Sequence, residues 1–268
     1  MAILRLEVTN PKFGRENTKN ITVHSSYLHN RQNISIYNPY SKAIDLPVII
    51  LLHGVYGNHW SWMDLGGVHL VYENLRKQGL NEFVLVMPSD GGLWDGSAYL
   101  PLMEHGDYEQ WIVDDVLTAV KKTVSSVTDS SRWYISGLSM GGYGALRLGT
   151  KFANKFAGIS AHSAITQIED MSQFVDTPLN NYKCQHQHET EISYWSEVNK
   201  AQLPPLRFDC GQQDTLLQSN NRLAEKLKKL AIVFNYKTMP GGHEWPYWHT
   251  NISTTFKFFS SIEKNSLK

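Results

Sequence analysis

The chain is short of cysteine, has no excess charge of either sign and contains no long hydrophobic run. Each shortage removes a class of protein. Two cysteines, Cys184 and Cys210, in 268 residues are too few for a disulfide framework, which favours a reducing compartment. Basic and acidic residues balance at 25 each with no basic stripe, so no nucleic-acid partner is expected. No apolar stretch approaches the roughly 20 residues of a membrane span, and MAILRLEVTNPKFGRENTK at the start has no signal-like apolar core, so no membrane partner is expected. The cytoplasm is the expected compartment, with secretion the alternative if a signal segment has been removed. Asn-x-Ser/Thr sequons begin at Asn20, Asn33 and Asn251 and carry no weight without export. Self-association as a homo-oligomer is left open.

What is present reads as one α/β unit. Hydrophobic residues at 41% suffice for a sizeable core in one domain of this length. The first forty residues alternate apolar and polar (Leu4, Leu6, Val8; Ile21, Val23; Ile34, Ile36) between turn clusters, which predicts antiparallel strands. Continuous apolar runs follow at 47–52, 83–87, 134–136, 156–161, 206–210 and 232–236, as in strands buried on both faces. Helices are expected near 67–79, 109–125, 140–152, 216–230 and 246–263. Strands alternating with helices predict a mainly parallel central sheet with helices on both faces. Residues 164–203 break the rhythm with Gln, Asn, His and Glu and no period. They read as a cap-like insertion between the sixth and seventh core strands.

Residues 132–149, RWYISGLSMGGYGALRLG, carry the strongest chemical signal. A β-favouring run at Trp133-Tyr134-Ile135 enters Gly137-Leu138-Ser139-Met140-Gly141, and a helix-like spacing follows. Strand, tight turn and helix are the context in which G-x-S-x-G presents a serine hydroxyl at the top of a sheet. Glycines are required there because a Cβ at either position would strike the neighbouring strand or helix.

A serine hydroxyl is a poor nucleophile at neutral pH and needs a base, itself held by an orienting group. Leu206 to Leu216 reads as a strand running into a loop and places Asp214 just past the strand end, where the site of an open α/β sheet lies. Asp209 is the competitor, but it falls inside the strand and is expected to face packed side chains. Met239-Pro240-Gly241-Gly242-His243-Glu244-Trp245 puts a histidine on a glycine-rich loop after the last apolar run. His249 falls in a predicted helix and is the poorer base. Leu51-Leu52-His53-Gly54-Val55-Tyr56-Gly57 ends the first buried strand, and the amides of Val55 and Met140 are candidates for an oxyanion hole. His53 reads as a brace for that loop. Aromatics crowd the same loops, and Tyr56, Trp60, Trp94 and Trp245 are the substrate-binding candidates, as an acyl pocket or a platform for a sugar or phenolic ring. Cys184-Gln185-His186-Gln187-His188 matches no standard zinc spacing, so no metal is expected.

Taken in order, LLHGVYGNHWSW, GLSMGGYGAL, DCGQQDTLL and PGGHEWPYW resemble the esterase D family of α/β-hydrolases over about residues 20 to 262. Its tributyrin-type carboxylesterases are related to feruloyl and acetylxylan esterases, S-formylglutathione hydrolases and mycolyltransferases. The resemblance implies an α/β-hydrolase fold over 1–268 with the insertion at about 164–203. It implies Ser139 as nucleophile, His243 as base, Asp214 as its partner, and the Val55 and Met140 amides as oxyanion donors. The implied activity is a serine carboxylesterase acting on short-chain or aryl- or carbohydrate-linked esters, with a small-molecule ester as partner and no cofactor. A feruloyl- or acetylxylan-type esterase, or an acyltransferase using the same residues, is the alternative. S-formylglutathione hydrolases generally carry a cysteine close to the oxyanion loop, and His53 to Asn58 has none, so that branch ranks lower, beside a non-catalytic binding protein.

Overall fold

A computed structural model describes residues 3–102 and 104–266. Nine strands form one sheet: β1 (Ile3–Val8), β2 (Thr18–Ser25), β3 (Asn30–Tyr37), β4 (Val48–Leu52), β5 (Val84–Pro88), β6 (Trp133–Leu138), β7 (Gly158–His162), β8 (Leu206–Gly211) and β9 (Asn235–Met239). In space they run β1-β2-β3-β5-β4-β6-β7-β8-β9. The first three pair antiparallel with their neighbours, and β4 to β9 form the parallel part.

The continuous apolar runs are explained by burial on both faces. Along β4, Val48, Ile50 and Leu52 enter one core while Ile49 and Leu51 enter the other. Helices α1 (Ser61–Asp64), α2 (Val68–Lys77) and α7 (Trp245–Ser266) supply the smaller core with Trp62, Tyr72 and Phe256. The larger core takes Trp111 and Val116 of the run Tyr108–Thr123 (α3), Leu146 of α4 (Met140–Lys151) and Leu223 of α6 (Leu217–Lys229). Alternation in a strand sends successive side chains to opposite faces, so a strand covered on both sides favours apolar residues at every position. Among the described residues no helix is long and apolar enough to cross a membrane.

Three sequence expectations need adjustment. The last strand begins at Asn235, three residues after the start of the apolar run that predicted it, and among the described residues pairs only with β8. Ile232 and Phe234 pack into the core from the approach loop, and as an edge the strand itself is largely exposed. The helix expected at 109–125 is α-wound over Tyr108–Gln110, π-wound over Trp111–Val116 and α-wound again over Leu117–Thr123. The aperiodic segment joins β7 to β8, the seventh and eighth strands of the sheet rather than the sixth and seventh. It holds two 3-10 turns (Ile168–Gln173, Leu179–Asn181), helix α5 (Ile192–Val198) and a last turn at Lys200–Gln202.

The tightest backbone approach occurs where β6 turns into α4. A Cβ on Gly141 would lie 2.2 Å from the Leu52 carbonyl oxygen, and one on Gly137 would lie 2.1 Å from the Gly141 carbonyl oxygen. Both obstacles are main chain, so neither can rotate away. Gly141→Ala is therefore expected to lower unfolding stability by about 3 kcal/mol or to prevent folding. Gly14→Ala, whose nearest atom would be 3.8 Å away, is expected to stay near wild type. Equal denaturant midpoints for the two variants would contradict the close-approach account.

Candidate active site

Ser139 sits at the turn with φ 52° and ψ −120°, a left-handed conformation for a residue with a Cβ. Such a backbone costs on the order of 1–3 kcal/mol and persists only where its surroundings enforce it. The Ser139 amide donates to the His162 carbonyl (3.0 Å), and the Ser139 carbonyl accepts from the amides of Tyr143 (3.0 Å) and Ile165 (3.1 Å). Strand β7, helix α4 and the start of the connection to β8 thus hold the turn from three sides.

Two loops at the carboxyl end of the sheet meet over this serine. Asp214 follows β8, and His243 follows β9. Their necks are joined by main-chain and side-chain bonds. Gln213 N–H donates to the Gly241 carbonyl (3.0 Å), and Gly241 N–H donates to Gln213 Oε1 (2.8 Å). His243 Nε2 then lies 2.9 Å from Ser139 Oγ, while His243 Nδ1 lies 3.1 Å from each oxygen of the Asp214 carboxylate. With the proton on Nδ1 donated to Asp214, Nε2 is free to accept the serine proton.

Both aspartates fall where their sequence positions suggest. Burial opposes ionisation of Asp214, but hydrogen bonds from His243 and from the Leu216 amide (2.8 Å) outweigh it and hold its pKa below the ordinary value. Asp214 thereby accepts from the N-terminus of α6 as well as from His243. Asp209 points into a packed layer, where its carboxylate meets the Arg207 guanidinium, His162 Nδ1 (2.9 Å) and the Tyr247 hydroxyl (2.8 Å). Burial is again opposed, here by His162 and Arg207, and the pKa is lowered. His249 lies on α7, its Nδ1 bonded to the Gly66 carbonyl (2.7 Å), away from Ser139.

The loop after β4 is braced by His53. Its Nδ1–H donates to the Gly54 carbonyl (2.7 Å), and its Nε2 accepts the Asp90 amide (2.9 Å), which fixes a neutral ring. That carbonyl belongs to the same peptide as the Val55 N–H, so anchoring one end orients the other. Tyr56, at φ 59°, is held by its N–H to the Asp95 carbonyl (2.8 Å). Among the described residues neither the Val55 nor the Met140 N–H is engaged by a backbone acceptor. Met140 opens α4, and the first amides of a helix have no partner within it.

A cavity of about 310 Å³ opens at Ser139 and His243. Gly54 to Gly57 form part of it, and Leu65, Leu138, Phe174, Trp245 and Trp248 complete it. Of the aromatic candidates, Tyr56 and Trp245 line this cavity. Trp60 and Trp94 do not; Trp94 packs edge-on against His105 and Tyr182 at ring separations of 4.8 and 5.4 Å. Phe174 carries no sequence signal of a site, because it lies in the aperiodic connection. Its ring stacks on His243 at 4.8 Å and 27°, while Trp248 meets the imidazole at 5.0 Å and 89°. Trp248 stands in the aromatic run after His243, a signal that sequence reading could have used.

The sheet order, the turn at Ser139 and the loops over it define an α/β-hydrolase. Residues 25–259 match the model of the Esterase family, described as "Putative esterase", and the chain belongs to that family. It is 27% identical over 243 residues to an acetyl esterase of Caldicellulosiruptor saccharolyticus, covering 83% of this chain and 88% of that protein. Among solved structures it resembles a fluorophosphonate-binding serine hydrolase F of Staphylococcus aureus, with TM-score 0.77 and 21% identity over 92% of this chain and 99% of that one. A ferulic acid esterase gives TM-score 0.78 and 22% identity over 96% and 99%.

The two aspartates make separable predictions. Asp214→Asn is expected to reduce kcat by about 10⁴-fold with little change in melting temperature, because the amide oxygen still accepts from Leu216 while the imidazole loses its partner. Asp209→Asn is expected to cost about 3–5 kcal/mol of stability at pH 7 by stranding buried Arg207. A depressed aspartate pKa contributes stability above the unfolded value near 3.9, lost as pH falls through the folded value. The Asp209→Asn deficit should therefore shrink on acidification below about pH 4. Thermal melts at several pH values, with ester turnover, check both; a reversed pattern would exchange the two assignments.

Proposed function

We propose that this protein is a serine carboxylesterase that hydrolyses small-molecule esters through an acyl-enzyme, with Ser139 as nucleophile, His243 as general base and Asp214 as its orienting partner. The observation that carries this reading is the run of contacts from Ser139 Oγ to His243 Nε2 (2.9 Å) and from His243 Nδ1 to Asp214 (3.1 Å), opening on an apolar cavity. Membership of the Esterase family supports the reaction class, and the likeness to an acetyl esterase and a ferulic acid esterase supports short acyl and aryl acyl esters as substrates.

The steps follow from the geometry. His243 Nε2 takes the Ser139 proton as Oγ attacks the ester carbonyl, and the developing oxyanion is held by the Val55 and Met140 amides. Each such donor contributes ~3–4 kcal/mol in hydrolases that use one. Asp214 stabilises the imidazolium, which then protonates the departing alcohol. The His243 side chain retains 17% exposure, enough for a water to reach Nε2, lose a proton and attack the acyl carbon. Ser139 leaves with the proton returned to it. In this reading the connection 164–203 and the hydrolase core act as one unit over residues 1–268.

Ser139→Ala is expected to lower kcat by up to ~10⁶-fold on p-nitrophenyl acetate, butyrate and octanoate and on methyl ferulate, with an unchanged melting curve. A fluorophosphonate probe should label wild type at Ser139 and leave the alanine variant unmodified. Wild-type turnover in the alanine variant would sink the assignment.

A further inference from the structure

The cavity beside Ser139 has two walls of different origin. One is an extension of the protein core. Leu138 and Trp248 are almost fully buried, and Trp245 packs over Gly66, where a Cβ would lie 2.8 Å from its ring. Trp245 also meets Trp62 and Trp248 edge-on at 6.0 and 5.2 Å. Changing this wall means repacking a core. The other wall consists of Tyr56 from the oxyanion loop and Phe174 from the connection between β7 and β8.

These two residues are joined directly: the Tyr56 hydroxyl donates to the Phe174 carbonyl. Phe174 follows the 3-10 turn Ile168–Gln173, so its carbonyl is one of the groups that a helix end leaves without an internal partner. The turn is fixed from below. Met171 and Val175 are buried, and Asp170 accepts from the Thr166 amide (3.2 Å) and the Ser219 hydroxyl (2.9 Å). Further along, Tyr182 bonds the Gly96 carbonyl (3.0 Å), and Glu189 meets the wholly buried Arg147 of α4 at 2.7 Å. The connection is therefore anchored on both sides of Phe174. Its ring is held against His243 as a fixed surface.

We propose that Phe174, tethered by Tyr56, is the acyl-size determinant of this esterase: a fixed wall that disfavours long, flexible or charged acyl chains relative to short, uncharged ones. This rests on the esterase reading above. Space of about 310 Å³ corresponds to on the order of ten water-sized groups, shared between the acyl chain and the reacting ester. Among the described residues, apart from His243, no titratable side chain but the Tyr56 phenol lines it, so a charged acyl group would lose its water without a partner. A longer chain must displace the Phe174 ring, and with it the stack on His243.

The test is the ratio of kcat/KM for p-nitrophenyl octanoate to that for p-nitrophenyl acetate, in wild type, Phe174→Ala and Tyr56→Phe. Loss of the stack on His243 lowers both esters together and cancels in the ratio; relief of the wall does not. Phe174→Ala is expected to raise the ratio at least ~10-fold, the discrimination that a few methylene-sized contacts supply. Tyr56→Phe keeps the ring and removes only the tether, and is expected to raise the ratio about 3-fold or more. Fluorophosphonate labelling of all three proteins verifies that Ser139 remains reactive in a folded site. Ratios within about twofold of wild type in both labelled variants would overturn the wall while leaving the esterase reading intact. Wild-type protein inert to every ester and to the probe would overturn the esterase reading and the wall with it.

Discussion

The site depends on one steric constraint, the absence of room for any side chain where the first turn of α4 passes the end of β4. Gly141 faces the Leu52 carbonyl, and Gly137 faces Gly141. That closeness forces the chain through Ser139 in a left-handed conformation, which lifts Oγ out of the sheet. It also decides where the neighbouring loop lies. A Cβ on Gly54 would sit 3.2 Å from Ser139 Cβ and 2.9 Å from the Leu138 side chain, so the loop after β4 packs directly on the turn. The Val55 and Met140 amides share a space because three glycines let three backbones meet. A larger residue at any of them would separate hydroxyl from amides before it disturbed any side chain named in the mechanism.

Polar groups then convert contact into fixed direction. His53 spans the Asp90 amide and the Gly54 carbonyl, so the peptide bearing the Val55 N–H cannot turn over without breaking a buried bond. Asp90 is engaged further, accepting from the amides of Gly92 (3.0 Å) and Ser97 (2.7 Å). On the other side of the site, Arg147 meets Glu109 and Glu189 at 2.7 Å each, Lys151 meets the same two carboxylates, and Arg147 also donates to the Tyr99 carbonyl. A buried ionic cluster contributes little net stability against an apolar equivalent, because desolvation offsets the attraction. Its effect here is positional: Glu189 belongs to the connection between β7 and β8, and its pairing allows one seating on α4.

What could be read from the residue order follows how local each feature is. The turn at Ser139, the strand-end position of Asp214 and the glycine-flanked His243 are set by a few consecutive residues, so their spacing announced them. Asp209 could be set aside for the same reason: a carboxylate in mid-strand must face a packed layer, where it meets Arg207 and His162. Phe174 has no such signature. Its place against His243 follows from anchors at Asp170, Tyr182 and Glu189, whose longest-range bonds reach partners 42 to 86 residues away in sequence. Trp60 and Trp94 stand on site loops, but which way a loop ring turns depends on what else packs there. Trp94 turned toward His105 and Tyr182. The last strand shifted because apolar content marks what packs on the core, and Ile232, buried, and Phe234, half-buried, do so from a loop as well as they would from a strand.

This division between local and distant determinants is also a division between chemistry and selectivity. The groups proposed to move protons and hold the oxyanion come from strand ends and a helix start, where main-chain packing leaves little freedom. The groups that shape the cavity come partly from the core and partly from two loops joined by a tyrosine hydroxyl and a carbonyl. Sequence change in the loop wall alters the space beside Ser139 without touching the turn, the neck between Gln213 and Gly241, or the brace at His53. Change in the core wall cannot do this, because Trp245, Trp248 and Leu138 are also packing residues of the smaller hydrophobic core or its margin. An esterase built this way is free to alter the proposed acyl wall through one loop contact, while the proposed catalytic geometry stays where three glycines put it.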